Sequence, residues 1–355
     1  MFKIPLFYRN EALFGFDLGY NSIKLMQIER TGKTDRISGY AFTTFDPSAI
    51  KNGVIVDPEM IAKEVYDVIT KHTIGQIDTR RVAVALPVSR TFNRVISLPK
   101  MDKDDLDEAV MLEAEQYIPV SVDELYIDYE IAESRNSDTT EVLAVAAPQK
   151  IVDSYLTLFD LLGLEVSVIE TSISSATRLV MHAEQTDLPT LIIDFGAVST
   201  DLSIFDTTLR VTGTVDSGGD DITKSISKEL NVTPRQAHTI KSKHGLNFGK
   251  RQRQIIEALD PTLSQLVVEV KRMVRFYQER SNEKKKLEQV IILGGGANMP
   301  GLADYLTDKI RIPTRTADPW INLDFGKLQP PHTMEKTIYA TCAGLALIRP
   351  GDIKL

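Results

Sequence analysis

Residues 14–28, FGFDLGYNSIKLMQI, are echoed at 191–205 by LIIDFGAVSTDLSIF. Asp17 aligns with Asp194, Gly19 with Gly196, Ser22 with Ser199 and Leu25 with Leu202. In each stretch an apolar strand enters an Asp-x-Gly turn with small polar residues, and a second apolar strand follows. Glycine admits the tight turn, and successive turn N–H groups make a nest that holds anions. A carboxylate would repel phosphate directly, so Asp17 and Asp194 are expected to act through Mg²⁺ and its water. Two such hairpins facing each other would grip one polyphosphate from both sides.

The 355 residues suffice for two domains or one bilobal fold. A hydrophobic content of 43% with 25% charged residues is ordinary for a globular protein. The net charge of −8 and pI near 5.3 argue against general nucleic-acid binding. Cys342 is the only cysteine, so no internal disulfide can form and a reducing, cytosolic compartment is the default. No run approaches the roughly 18–20 apolar residues of a membrane span. The start, MFKIPLFYRN, is too short for a signal-peptide core with a cleavage site. It reads as an edge strand or arm, or as a surface touching membrane or partner.

Outward from the first hairpin, SGYAFTTF (38–45) has strand composition, residues 58–72 have helical spacing, and VAVALP (82–87) is a buried strand. From about 88 to 165 the pattern becomes that of an insertion. A helix is capped by Asp102 and ended by Pro119, and strands at 124–132 and 141–148 follow. An amphipathic helix at 150–163 stops at a glycine. After the second hairpin come a strand and a Gly-Gly turn within 212–230, helices at 234–244 and 263–280, and a loop at 313–333. A final apolar helix spans 334–348. The basic run KRMVRFYQERSNEKKK (271–286) reads as a solvated helix face. No metal-ligand spacing, Walker A sequence, nucleophile elbow or His-Glu-x-x-His is present.

A third element joins the two hairpins. The apolar strand Val290–Leu293 delivers Gly294, Gly295 and Gly296 to a helix starting near Pro300, in GGGANMPGL. Three successive glycines exceed what a tight strand-to-helix turn needs, and they let backbone lie flat against a base or phosphate.

The order Asp17-x-Gly19, Asp194-x-Gly196, Gly218-Gly219 and Gly294-Gly295-Gly296 resembles the actin-like ATPase superfamily, which includes sugar kinases, heat-shock chaperone ATPases and the division protein FtsA. Within it the chain is most similar to the type IV pilus assembly PilM family, through the two hairpins, LGGGANMPGL and above all EAEQYIPVSVDELYIDYEIA. The resemblance covers essentially the whole chain. It implies an α/β, bilobal actin-like ATPase fold of duplicated ribonuclease-H-like subdomains with an inserted small α+β subdomain. The first lobe would comprise 1–87, 166–189 and 334–355, the insertion 88–165, and the second lobe 190–333.

Carried over by position, the resemblance implies ATP and Mg²⁺ as cofactors, with Asp17 and Asp194 positioning the metal. Gly19, Asn21 and Ser22 would bind the terminal phosphates in the first loop, with charge from Lys24; Gly196, Ser199 and Thr200 would do so in the second. Gly218, Gly219, Gly294, Gly295, Gly296 and Ala297 would lie around ribose and adenine, with Lys241 as a cation beside them. Asp201 either closes the second loop or stabilises its hairpin. Glu170 stands where chaperone relatives place a water-orienting catalytic acid, or else is a solvated strand-end carboxylate. Departures are Tyr20 for a small hydroxyl residue, Val198 for a glycine, Thr171 for a proline and His238 for a ribose-binding Glu.

The resemblance further implies a cytoplasmic protein, peripheral to the inner membrane through a partner. That partner is a PilN-like membrane protein whose short N-terminal tail lies in a groove formed with the insertion. Backbone pairing and apolar pockets would hold such a peptide, with strands 124–148 as one wall. Other proteins of the pilus assembly platform would be further partners. Hydrolysis, slow or absent, stays open. So do two other readings. A polymerising, membrane-tethered FtsA-like homologue would attach by a C-terminal amphipathic helix, where this sequence has IRPGDIKL. A small-molecule kinase would need a catalytic Asp that 88–165 does not offer in a suitable context.

Overall fold

The computed structural model describes residues 12–31, 34–132, 138–184, 188–247, 252–280 and 285–349; the N-terminal MFKIPLFYRN and the terminal GDIKL lie outside the described residues. The first hairpin is β1 (Phe14–Leu18) and β2 (Ser22–Thr31), extended by β3 (Thr34–Thr44). A small ribbon of β4 (Ile50–Lys51) and β5 (Val54–Ile55) leads to α1 (Pro58–Asp67). Asp57 caps α1 and Pro58 stands at its first position, where a missing N–H costs nothing. Then come β6 (Ile74–Gly75), β7 (Arg81–Leu86), β8 (Phe92–Pro99), α2 (Lys103–Tyr117), β9 (Leu125–Ala132), β10 (Thr139–Pro148), α3 (Gln149–Leu162), β11 (Glu165–Thr171) and α4 (Ser172–Glu184).

The second half opens with β12 (Thr190–Phe195), β13 (Thr200–Asp206) and β14 (Thr208–Val215). Helices α5 (Gly219–Leu230), α6 (Pro234–Lys243) and α7 (Gln252–Arg280) follow. The chain closes with β15 (Gln289–Leu293), α8 (Leu302–Ile310), β16 (Thr314–Thr316), β17 (Leu323–Asp324) and α9 (Ala340–Ala346).

The two halves repeat one sheet. The first runs β11-β7-β1-β2-β3 and the second β16-β15-β12-β13-β14. In each, the opening strand of the hairpin is central, antiparallel to its hairpin mate and parallel to the strand on its other side. Parallel strands covered on both faces read as near-continuous apolar runs, and all six residues of β7 are buried, with Arg81 the one charged residue among them. The echo between two short stretches is therefore an echo of two whole sheets.

Helices α4 and α9 fill the space between the sheets. Their Ala176, Leu179, Ala340 and Ala343 share a core with Met26 and Ile37 of the first sheet and Ile192 and Ile291 of the second. Every residue of α9, ATCAGLA, is buried. Small side chains let backbones approach: a Cβ on Gly344 would collide with the Ser175 carbonyl of α4, and one on Gly15 with the Cys342 carbonyl of α9.

Three expectations are corrected. Helix α3, assigned by sequence to the insertion, buries Ile151, Tyr155, Leu158 and Phe159 against Phe14, Phe16 and Val84 of the first half. Its Phe159 meets Phe16 edge-on, with ring centroids 5.0 Å apart. The insertion proper is thus β8, α2, β9 and β10, around Ile96, Leu106, Val110 and Val142. The segment 313–333 is not all loop, since β16 pairs with β15 and β17 crosses back to pair with β3 of the first sheet. Finally, α7 begins at Gln252 and runs through Pro261.

Candidate functional site

The hairpin turns of both halves line one cavity of about 830 Å³. They are closed alike: the Gly19 N–H donates to the Ser22 carbonyl at 2.9 Å and the Gly196 N–H to the Ser199 carbonyl at 3.0 Å. The residue opposite each aspartate differs. Lys24 faces Asp17, whereas Asp201 faces Asp194. Lys24 Nζ lies 3.1 Å from Asp17 Oδ2, and both side chains are nearly buried.

On the other side negative charge accumulates. Burial first, then the charges of Asp201 and Asp17, push the Asp194 carboxyl up to about 7. Burial likewise raises Asp201 to about 6, against a hydrogen bond from Thr214 Oγ1 at 2.7 Å that lowers it. Gly294 is a forced choice beside them. Its φ is +82°, and a Cβ there would strike the Asp194 carboxylate and the Phe195 backbone.

This donor set fits a divalent cation. Asp17, Asp194 and Asp201 line the cavity together with the single lysine Lys24. Among the described residues no group of three or more His, Cys, Asp or Glu side chains forms a ready metal cage. Mg²⁺ here would therefore take most of its oxygen ligands from phosphate and water, as this ion commonly does.

Of the expected residues, Asp17, Gly19, Asn21, Ser22, Lys24, Asp194, Gly196, Ser199, Gly294 and Gly295 line the cavity. Thr200, Gly218, Gly219, Lys241, Gly296, Ala297 and Glu170 do not. The Thr200 hydroxyl donates to the Ser217 carbonyl at 2.8 Å. Gly219 N–H donates to the Gly196 carbonyl at 2.9 Å, and a Cβ on Gly218 would hit the Ala197 carbonyl. The Gly-Gly pair thus supports the second loop from behind. Lys241 Nζ donates to the Gly219 carbonyl at 2.7 Å, and burial lowers its pKa. Gly296 has no room for a Cβ against the Phe195 ring, and Ala297 is buried in the second core.

Glu170 is engaged elsewhere. Its two carboxylate oxygens each accept a 2.6 Å bond from Arg178, which also donates to the Gly344 carbonyl at 3.0 Å. Removing Arg178 would strand a mostly buried carboxylate. Arg178→Ala is expected to cost about 1–3 kcal/mol of stability in chemical denaturation. Nucleotide affinity should stay within about twofold, since neither partner lines the cavity; a wild-type denaturation midpoint would refute the assignment.

Residues that no motif flagged also line the cavity: Ser89, Arg90, Tyr155, Asp216, Thr337 and Thr341. Tyr155 is carried on the apolar face of α3, which reads in sequence as core. Asp216 follows β14 and precedes Gly218, so its place beside the Gly-Gly turn was the available signal. Arg90 is exposed and has no carboxylate partner among the described residues.

Two like sheets, a hairpin turn from each at a common cavity, and a helix pair between them define the actin-like ATPase fold. The sequence profile of the type IV pilus assembly protein PilM matches residues 15–350. The chain belongs to the type IV pilus assembly protein PilM family. A solved structure of the PilM–PilN type IV pilus biogenesis complex is similar over 98% of this chain and 100% of the other, with a TM-score of 0.82 and 25% identity. MreB5 of Spiroplasma citri bound to AMPPNP shares the fold at a TM-score of 0.54 and 13% identity, covering 94% of each chain. The cell division protein FtsA of Enterococcus faecalis is 23% identical over 330 residues, 82% of this chain and 74% of its own. Among the described residues no helix is long and apolar enough to cross a membrane.

Proposed function

We propose that this chain is a cytoplasmic, ATP–Mg²⁺-binding scaffold of the type IV pilus inner-membrane platform, and that it receives the N-terminal tail of a PilN-like membrane protein. The observation that carries the reading is its likeness, over nearly its whole length, to a PilM–PilN complex. The turn amides at Gly19 and Gly196 would cradle phosphate, and Lys24 would exchange its Asp17 partner for phosphate oxygens. Bound Mg²⁺ would supply the positive charge that lets phosphate sit among Asp17, Asp194 and Asp201. Because the two hairpins belong to different sheets, one ligand gripped by both biases the halves toward closure. Phosphoryl transfer in such a site needs positioning more than covalent chemistry, and a scaffold can use the closed shape without rapid turnover.

For the tail, β9 offers an outer edge in the order β8-β10-β9. Tyr126 and Ile131 on it are 49% and 58% exposed. The Tyr126 hydroxyl donates to Asp153 Oδ1 of α3 at 3.1 Å, so a peptide along β9 would meet both the insertion and the first half. Edge pairing plus apolar anchors is an established mode of peptide capture. A synthetic N-terminal tail peptide of a PilN-like protein should bind in calorimetry, and Ile131→Asp should weaken it roughly tenfold or more. No binding with or without ATP would end this reading. Sedimentation with ATP tests the FtsA-like alternative, which requires filaments in the pellet.

A further inference from the structure

The cavity between the hairpins has unlike ends. β7 in the first sheet and β15 in the second hold the same place, each the parallel neighbour of a central strand. Ala85 lies beside Asp17 in one, and Leu293 beside Asp194 in the other. The loops leaving these two strands are counterparts, and both line the cavity. After β15 the loop is Gly294-Gly295, with no side chain and no charge. After β7 it is Pro87-Val88-Ser89-Arg90, and it brings a guanidinium. The flat end suits the uncharged base of a nucleotide, and the cationic end suits its anionic terminus.

Arg90 is a cation with nothing to neutralise. The cavity is lined by the carboxylates of Asp17, Asp194, Asp201 and Asp216 and by the cations Lys24 and Arg90. Lys24 is held by Asp17, whereas the Arg90 side chain makes no ion pair or hydrogen bond among the described residues. Its stem is placed all the same. The turn Asn52-Gly53 joins β4 to β5 with φ of +52° and +85°, as a two-residue hairpin demands. A Cβ on Gly53 would come within 2.9 Å of Arg90 Cγ and 3.1 Å of Ile151 Cδ1, so the bare glycine leaves room for the arginine stem beside α3. The ribbon is tied to α3 in turn, since the Ile55 N–H donates to Ser154 Oγ at 3.1 Å.

Tyr155, one turn beyond Ile151 on α3, is a second unused donor. Its side chain is among the most deeply buried in the chain, at 1% exposure. Yet its hydroxyl has no hydrogen-bond partner among the described residues, and it opens onto the cavity. Buried polar groups are almost always satisfied, so this hydroxyl calls for an acceptor in the cavity. Burial and then the charge of Asp17 push its pKa up, so it stays protonated and can donate.

We infer that Arg90 and Tyr155 hold the terminal phosphate of the bound nucleotide and so make the site choose a nucleoside triphosphate over the diphosphate. This rests on the nucleotide reading above. A guanidinium matches phosphate oxygens with two parallel bonds, and the phenol adds a third donor from α3. The hairpin amides and Lys24 serve phosphate near the aspartates, whereas Arg90 and Tyr155 would be reached only by the last of three phosphates.

The test compares the affinities of the full-length protein for Mg–AMPPNP, which resists hydrolysis, and for Mg–ADP by calorimetry. Arg90→Met keeps a stem on Gly53 and removes the charge, and Tyr155→Phe keeps the ring and removes the hydroxyl. Each should weaken Mg–AMPPNP roughly tenfold or more, the scale of a lost hydrogen bond to a charged group, and leave Mg–ADP within about twofold. Arg90→Lys should recover part of the loss. Melting without nucleotide should match wild type in both variants, because neither removed group has a partner in the chain. Equal losses for the two nucleotides, or an unchanged Mg–AMPPNP affinity, would overturn the assignment and leave the nucleotide site standing. A loss in one variant alone would remove the other residue from the role. Wild-type protein that binds neither nucleotide would bring down the nucleotide reading, and this inference with it.

Discussion

Gly344→Val is expected to be among the most destabilising single substitutions in the chain, costing about 3 kcal/mol or more. At this position α9 crosses α4 so closely that a first side-chain carbon would occupy the space of the Ser175 carbonyl. Neither side can yield. Ser175 Oγ donates to the Thr341 carbonyl at 2.6 Å, which fixes the crossing, and the other face of α9 is held where Gly15 of β1 meets the Cys342 carbonyl. Overpacking against side chains can relax through rotamers, whereas overpacking against two backbones has to move an element. Since α4 and α9 carry both sheets, the cavity between the hairpins should be lost as well. Gly163→Ala is the control. That glycine has a left-handed φ, +64°, unlike Gly344, but nothing lies within 4 Å of an added carbon, so only the backbone strain of about 1 kcal/mol remains. Equal denaturation midpoints for the two variants would contradict the close crossing.

Asp194→Asn should separate stability from binding. The folded carboxyl is raised to about 7 from an ordinary value of 3.8, so the native state prefers it protonated. Below about pH 4 both folded and unfolded chains hold the proton, and the group makes no demand. As pH rises from 4 to 7 the unfolded chain releases it first, and the ligand-free protein loses stability until the folded group also ionises near 7. Asparagine removes that slope. The variant should therefore be more stable than wild type at pH 8 by roughly 1–3 kcal/mol, and indistinguishable at pH 4.

Its affinity for Mg–nucleotide should meanwhile fall by about 1–3 kcal/mol, the scale of losing a charged contact. In the wild type, binding a cation beside Asp194 would expel the proton, so affinity should rise with pH up to about 7 and then level off. Thermal denaturation across pH, with and without Mg–ATP, reads both effects. A variant destabilised at pH 8, or one with unaltered nucleotide affinity, would remove Asp194 from the metal-binding role.

Much of this architecture was legible before any coordinates, because it rests on backbone chemistry that sequence spells out. Asp102 accepts the Asp105 N–H as an N-cap, Ile118 turns extended ahead of Pro119, and Gly163 ends α3 in the left-handed conformation. What stayed hidden was which neighbour each apolar or small surface meets. An amphipathic pattern shows that α3 buries one face but not that its partners are Phe14 and Phe16. Glycine shows that a side chain is forbidden but not by whom: at Gly294 the obstacle is a cavity carboxylate, while at Gly218 it is the loop in front. The start of α7 is a related case: the sequence suggests a helix from 263, and the observed one contains Pro261. Its lost hydrogen bond costs about 3 kcal/mol in an isolated helix, yet here Ile255, Leu259, Leu263 and Leu266 bury one continuous face across it.

The return of the late chain to the first sheet bears on how the protein is made. A ribosome that has delivered residues up to 189 has produced strands β1, β2, β3, β7 and β11, but neither the edge strand β17 nor the helix that covers Met26, Ala83 and Ala85. Those surfaces come to rest only when 323–346 leave the exit tunnel. The N-terminal half cannot finish folding while it is being synthesised, and its nascent form is where a holding chaperone has something apolar to grasp.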